Sequence, residues 1–199
     1  MKDKYFVFIY PNAGLVRDLL NIAIFLLNPF EKWPAHITVA GPFYNKKQFA
    51  LQKRVLDTTV FSLSRGNFFK HGSNAVFLNV GFREREEVWR KPDFTGNPIP
   101  HLTLYDGPDQ MLANQLFANL QAVPTRFSFP ATDLHVVRSQ KGQQRNDLRM
   151  AVDFSKYRRT VGLSLDSVRR LPTASRLDLA LGALTQITVA TERQHSFFL

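Results

Sequence analysis

Two short stretches that repeat a His-x-Thr spacing inside aliphatic strands constrain this chain more than any other feature. The first is Ala35-His36-Ile37-Thr38-Val39-Ala40-Gly41-Pro42-Phe43; the second is Pro100-His101-Leu102-Thr103-Leu104-Tyr105-Asp106-Gly107. β-Branched and aliphatic residues running up to a Gly-containing turn predict a strand for each. Side chains alternate between faces along a strand, so His36 and Thr38 share one face while Ile37 and Val39 take the other. The same alternation groups His101, Thr103 and Tyr105 opposite Leu102 and Leu104. Each strand thereby buries an aliphatic side and offers an imidazole and a hydroxyl on the other.

The remaining histidines are poorer candidates. His71-Gly72-Ser73 satisfies the looser His-x-Ser/Thr spacing but lies in a Gly/Ser/Asn turn and is set aside. His135 and His195 have no threonine at the matching offset and are read as structural.

The paired motif resembles the two-histidine (2H) phosphoesterase superfamily. That superfamily includes RNA 2′,3′-cyclic phosphodiesterases once called ligases, and relatives that cut 2′-5′ linkages or cyclic nucleotides. Its members carry two His-x-Thr/Ser motifs on central strands of two related lobes. The resemblance covers roughly residues 1–155. It implies an α+β fold, with two pseudo-symmetric lobes of antiparallel sheet forming a central cleft and helices outside.

Composition narrows the rest. Eighteen Phe and 44% apolar residues argue for a packed globule. The absence of cysteine excludes disulfides, zinc–thiolate sites and a Cys nucleophile, and fits a cytoplasmic protein. The N-terminal Met1-Lys2-Asp3-Lys4 leads straight into a strand-like run with no signal-peptide core. The most apolar stretch, Leu19 to Phe30, is about half the length of a membrane span and contains Asn21, Asn28 and Pro29. It is expected to be a buried amphipathic helix, and no membrane partner is expected. A net charge of +10, from 26 Lys+Arg against 16 Asp+Glu, favours polyanionic partners.

Along the chain, Tyr5 to Tyr10 predicts a central strand, and Gly14 to Leu27 a helix with Leu15, Leu19, Ile22 and Leu26 on one stripe. A second helix is expected over Lys46–Leu56 and a charged one over Arg83–Lys91. Thr59–Phe69 and Asn74–Phe82 read as strands, and Pro108–Gln121 as a helix. Arg126–Ser128 and Leu134–Arg138 read as strand, and a polar turn at Gln140–Asn146 leads to a return over Leu148–Phe154. Residues 156–199 depart from the family pattern and are expected to form a basic helical C-terminal extension, with helices over Leu165–Leu171 and Ala174–Leu184. The extension either packs on the main domain or a second subunit, or contacts RNA through Arg169, Arg170 and Arg176.

The motif chemistry follows from imidazole. Breaking a P–O bond needs a proton taken from the attacking oxygen and one given to the leaving oxygen, and a group with pKa ~6.5 does either near neutrality. His36 and His101 are therefore the candidate acid and base, in an order the sequence leaves open. Thr38 and Thr103 are candidate donors to the non-bridging oxygens, where charge gathers. No carboxylate cluster or His–Glu spacing suggests a metal site, so no metal or other cofactor is expected. Tyr105, Tyr10 and Phe43 are candidates to stack on a base, and Arg138 is a candidate phosphate contact.

The expected activity is phosphodiester cleavage in an RNA end, an oligonucleotide or a cyclic nucleotide. The competing readings are a non-catalytic nucleotide- or RNA-binding module, and a basic interaction domain whose motif pair is accidental.

Overall fold

A computed structural model describes residues 4–12, 14–29, 34–43, 59–70, 74–83, 99–122, 126–130, 134–139 and 165–196. In chain order these contain β1 (Lys4–Ile9), α1 (Leu15–Leu27), β2 (Ile37–Phe43), β3 (Val60–Lys70), β4 (Asn74–Gly81) and β5 (His101–Gly107). After them come α2 (Gln110–Ala122), β6 (Phe127–Pro130), β7 (Leu134–Ser139), α3 (Leu165–Arg170) and α4 (Thr173–Ser196). The expected helices at 46–56 and 83–91, the turn and return at 140–154 and the boundary at 155 lie outside the described residues, apart from Arg83.

Among the described residues, seven strands form one curled antiparallel sheet in the order β6-β3-β4-β5-β2-β1-β7. The two lobes are its halves: β6-β3-β4-β5 on one side, β2-β1-β7 on the other. They join where the motif strands β2 and β5 pair, with Ile37 opposite Leu102. β1 lies between β2 and β7, one strand in from the edge of its half.

Strand alternation decides which side of the sheet the helices cover. Ile9, Ile37, Val39, Phe61, Leu63, Val76, Leu78, Leu102 and Leu104 are all buried in one core with α1, α2, α3 and α4. At roughly 1.5–3 kcal/mol for each fully buried large aliphatic side chain, this face supplies most of the drive to fold. Where α2 crosses β3, Gly66 is needed: a Cβ there would stand 2.8 Å from that of Leu120.

Helix α1 departs from the amphipathic expectation. Every residue from Leu19 to Leu27 is buried, Asn21 included, because α4 packs along the side that the sheet leaves open. Leu15, expected on the buried stripe, is 55% exposed in the first turn. Helix α4 also runs well beyond the expected Leu184, to Ser196. Leu177, Ala180, Leu184 and Ile187 give it a buried stripe at helical spacing. Among the described residues, no helix is long and apolar enough to cross a membrane.

Candidate active site

The pairing of β2 with β5 sets the site. With Ile37 opposite Leu102 in an antiparallel ladder, His36 falls opposite Thr103, and Thr38 opposite His101. Ile37, Val39, Leu102 and Leu104 are fully buried on the helix side. Both histidines and both threonines are therefore on the other face, where each is only partly buried. Two His-x-Thr strands running in opposite directions thus place each imidazole beside the hydroxyl of the other motif. Directly opposed side chains on such a ladder have Cβ atoms about 4.5–5.5 Å apart.

Each ring is held in the same way. His36 Nδ1 bonds the Pro34 carbonyl at 2.9 Å, and His101 Nδ1 bonds the Ile99 carbonyl at 2.7 Å. A carbonyl only accepts, so Nδ1 carries the proton in both rings, and Nε2 is the nitrogen left to exchange protons. An aromatic ring from the neighbouring strand braces each imidazole. Phe8 on β1 stacks on His36 with centroids 4.2 Å apart and planes at 26°. Phe77 on β4 lies against His101 at 4.9 Å and 54°. The braces are related by the register: Phe8 stands opposite Thr38, and Phe77 opposite Thr103. The local environments still differ. Burial lowers the pKa of His101, opposed by its hydrogen bond to the Ile99 carbonyl, so the neutral form prevails near neutrality.

Two asparagines that sequence reasoning used only as evidence against a membrane span position these strands. Asn21, 5% exposed in α1, accepts the Ala35 N–H through Oδ1 at 2.7 Å, one residue before His36. Asn28, at the end of α1, donates from Nδ2 to the Leu104 carbonyl at 2.7 Å and accepts the Asp106 N–H at 3.2 Å. Two helical turns separate the asparagines, so both meet the sheet. One helix thereby anchors both motif strands. Two Asn side chains two turns apart in the otherwise apolar run from Leu19 to Pro29 were the signal available in the sequence.

Tyr105 does not share the histidines' face as alternation predicted. Between Phe77 opposite Thr103 and Val76 opposite Tyr105, β5 carries one extra residue, a β-bulge. The bulge turns Tyr105 to the helix side with Val76, where it is 5% exposed in the main core. Its Oη accepts the Asp109 N–H at 3.0 Å, and burial raises its pKa. Gly107 leaves it room, since a Cβ there would lie 2.5 Å from Oη. Stacking on a base beside the histidines is closed to it.

Tyr10 stays near the site. Its ring centroid is 6.3 Å from that of His36, and it meets His135 edge-on at 4.6 Å. The residue is 2% exposed, its buried hydroxyl has no hydrogen-bond partner among the described residues, and burial pushes its pKa up to about 12. His135 pairs with Phe8 across β7 and β1, and so lies on the histidine face. Its sequence neighbourhood gave no sign of this, because the placement comes from the β1–β7 register. The backbones of Phe43 and Arg138 both stand opposite Tyr5, and their side chains lie outside the described residues.

A family model for the 2′-5′ RNA ligase superfamily matches residues 16–143, nearly two thirds of the chain. The chain belongs to the 2′-5′ RNA ligase superfamily. That family is part of the 2H phosphoesterase superfamily, which agrees with the resemblance carried by the two motifs. Both motif strands lie inside the matched span, whereas α3 and α4 lie beyond it. Membership of the 2′-5′ RNA ligase superfamily supports a phosphodiester-acting enzyme with RNA or nucleotide substrates. No curated protein matches the chain significantly.

Proposed function

We propose that the chain is a metal-independent phosphodiesterase that opens a 2′,3′-cyclic, 2′-5′ or cyclic-oligonucleotide linkage by paired-histidine acid–base catalysis. The observation that carries this reading is the crossed register of the motifs, His36 against Thr103 and Thr38 against His101. A phosphate over this square has an imidazole toward each end of an in-line displacement and a hydroxyl beside each imidazole.

His101, neutral through burial, takes the proton of the attacking oxygen at Nε2. That oxygen comes from water for a cyclic phosphate, or from a neighbouring ribose hydroxyl for an internal linkage. As its bond to phosphorus forms and the bond to the leaving oxygen breaks, His36, entering the step as the imidazolium with a second proton on Nε2, supplies the leaving oxygen with that proton. Thr38 and Thr103 donate to the non-bridging oxygens as charge develops. The cysteine-free sequence suits this chemistry in the cytoplasm.

The test is turnover, with EDTA present, of 2′,3′-cyclic nucleotides, 2′-5′ oligoadenylate and cyclic di- and trinucleotides. One member is cleaved by the wild type. His36→Ala and His101→Ala each lose about 10²–10⁴ in rate. Thr38→Val and Thr103→Val each lose up to about 10²–10³. Tight binding without turnover of any member would instead identify a nucleotide-binding module.

A further inference from the structure

The histidine face of the sheet is chemically two-sided. On the β2-β1-β7 half, Phe6, Phe8, Tyr10 and Val137 form an apolar cluster of their own beside the motif, with His135 against Tyr10. On the other half, the rows through His101 and through Ser62 carry small hydroxyl and amide groups, with the exposed Val60 at their outer end. His101 stands opposite Asn79, Asn79 opposite Ser64, and Ser62 opposite Ser128. Asn67 stands opposite Phe77 in the adjoining row. Ser62 and Ser64 are exposed, while their neighbours Phe61 and Leu63 are buried on the helix side. The polar rows are therefore the open surface that continues the site outward.

Acidic residues are confined to one end of this half, at Asp106 near the end of β5. Strands β3, β4 and β6 contain no Asp or Glu. Arg65, exposed, is the extra residue of the bulge beside Ser64, and the Asn79 amide fixes that bulge by donating to the Arg65 carbonyl at 3.2 Å. Arg126, also exposed, falls opposite Ser64 when the β3–β6 register is continued by one residue. Two exposed arginines thus stand in or next to the strands that carry this lane of hydroxyls and amides, Arg126 at the end of the His101 row and Arg65 at the bulge beside it. From β5 to β6 the lane crosses three strand spacings, about 14 Å.

We infer that this lane is a track for the sugar–phosphate backbone of a single-stranded oligoribonucleotide, making the chain an enzyme of RNA ends in preference to mononucleotides or small cyclic ones. Hydroxyl and amide side chains are what phosphate and ribose contacts use, and arginine supplies the charge. A compact cyclic phosphate held at the histidines would leave the whole lane uncovered; a strand would fill it. The inference rests on the histidine face being the substrate face, and it names which substrate that face takes.

The experiment separates the two by measuring binding apart from turnover. Labelled oligoribonucleotides of increasing length, a mononucleotide 2′,3′-cyclic phosphate and a cyclic dinucleotide are titrated against His36→Ala by fluorescence anisotropy or competition at several salt concentrations. The expected result is affinity that rises at least about tenfold from mononucleotide to short oligonucleotide. Its dependence on log salt should flatten by about 0.7 for each phosphate that Arg65→Gln or Arg126→Gln leaves without a cationic partner. Ser62→Asp and Ser64→Asp, which place negative charge on the lane, should lower the oligonucleotide-to-mononucleotide affinity ratio. Equal affinity for both lengths, a cyclic dinucleotide bound as tightly as the oligonucleotide, or an unchanged salt slope in both arginine variants would overturn the track. Because these readouts need no turnover, an inactive wild type would sink the catalytic reading and leave the track standing or falling on its own data.

Discussion

The two histidines are chemically alike in sequence and unlike in place. Both donate Nδ1–H to the carbonyl two residues earlier, so neither tautomer nor ring orientation distinguishes them. What differs is the packing: Phe8 lies nearly flat on His36, whereas Phe77 crosses His101 at a steep angle and burial lowers the pKa of that ring. The shift has a sign for stability. A histidine whose folded pKa lies below its unfolded value of ~6.5 binds fewer protons when folded, so stability rises with pH up to ~6.5 and is lost as pH falls through that window toward the folded pKa. Urea unfolding of the wild type should show a midpoint that drops on acidification from pH 7 toward 5. In His101→Gln, which keeps a polar side chain without a titrating proton, that part of the drop should disappear. An identical pH dependence in the variant would mean that His101 titrates normally. The same shift places the acidic limb of kcat/KM below ~6.5 for any reaction that needs neutral His101.

At the scale of elements, α1 is the part that converts two strands into one site. Asn21 holds the chain at Ala35, and Asn28 holds β5 at Leu104 and Asp106. Removing either side chain leaves backbone groups without partners, at about 1–3 kcal/mol for a buried one. Asn21→Ala is therefore expected to lower stability by that amount, read from the urea midpoint. The slack it gives to His36 should also lower kcat at temperatures where the variant is still folded, while Asn119→Ala, on the exposed face of α2, should do neither. Much of this level was legible in the sequence. The positions of β1 to β7, α1 and α2 follow from apolar periodicity to within a residue or two, and the shared face of His36 with Thr38 follows from strand alternation. The face of Tyr105 was not legible, because a bulge is a property of a strand and its partner: only the count of residues in β4 against β5 reveals the extra one. Nor was the place of His135, since which strand lies beside β1 is a matter of topology. The full burial of α1 was hinted at by its near-continuous apolar run, which exceeds what one buried face requires.

On the scale of the whole molecule, the helices beyond the family's matched span are joined to the core beneath the motif strands. Val168 of α3 and Leu177, Ala180, Ala183, Leu184 and Ile187 of α4 belong to the same buried cluster as Ile37 and Leu102. Two of the three arginines considered for RNA contact act as braces. Arg169 donates from Nε to the Pro29 carbonyl at 3.2 Å. Arg176 donates from Nη1 to the Leu26 carbonyl, also at 3.2 Å, near the C-terminal end of α1 where its charge opposes the helix dipole. Since α1 in turn anchors both motif strands, α4 supports the site at one remove. A separable appendage and a shared core predict different unfolding. Leu184 is fully buried, and its truncation to Ala should cost about 2–5 kcal/mol. If the core is shared, Leu184→Ala lowers the midpoint of a single transition, and fluorescence, circular dichroism and nucleotide binding all change together. A first transition confined to α3 and α4, with binding retained until a second unchanged one, would show that the helices are an appendage and that α1 keeps its place without them.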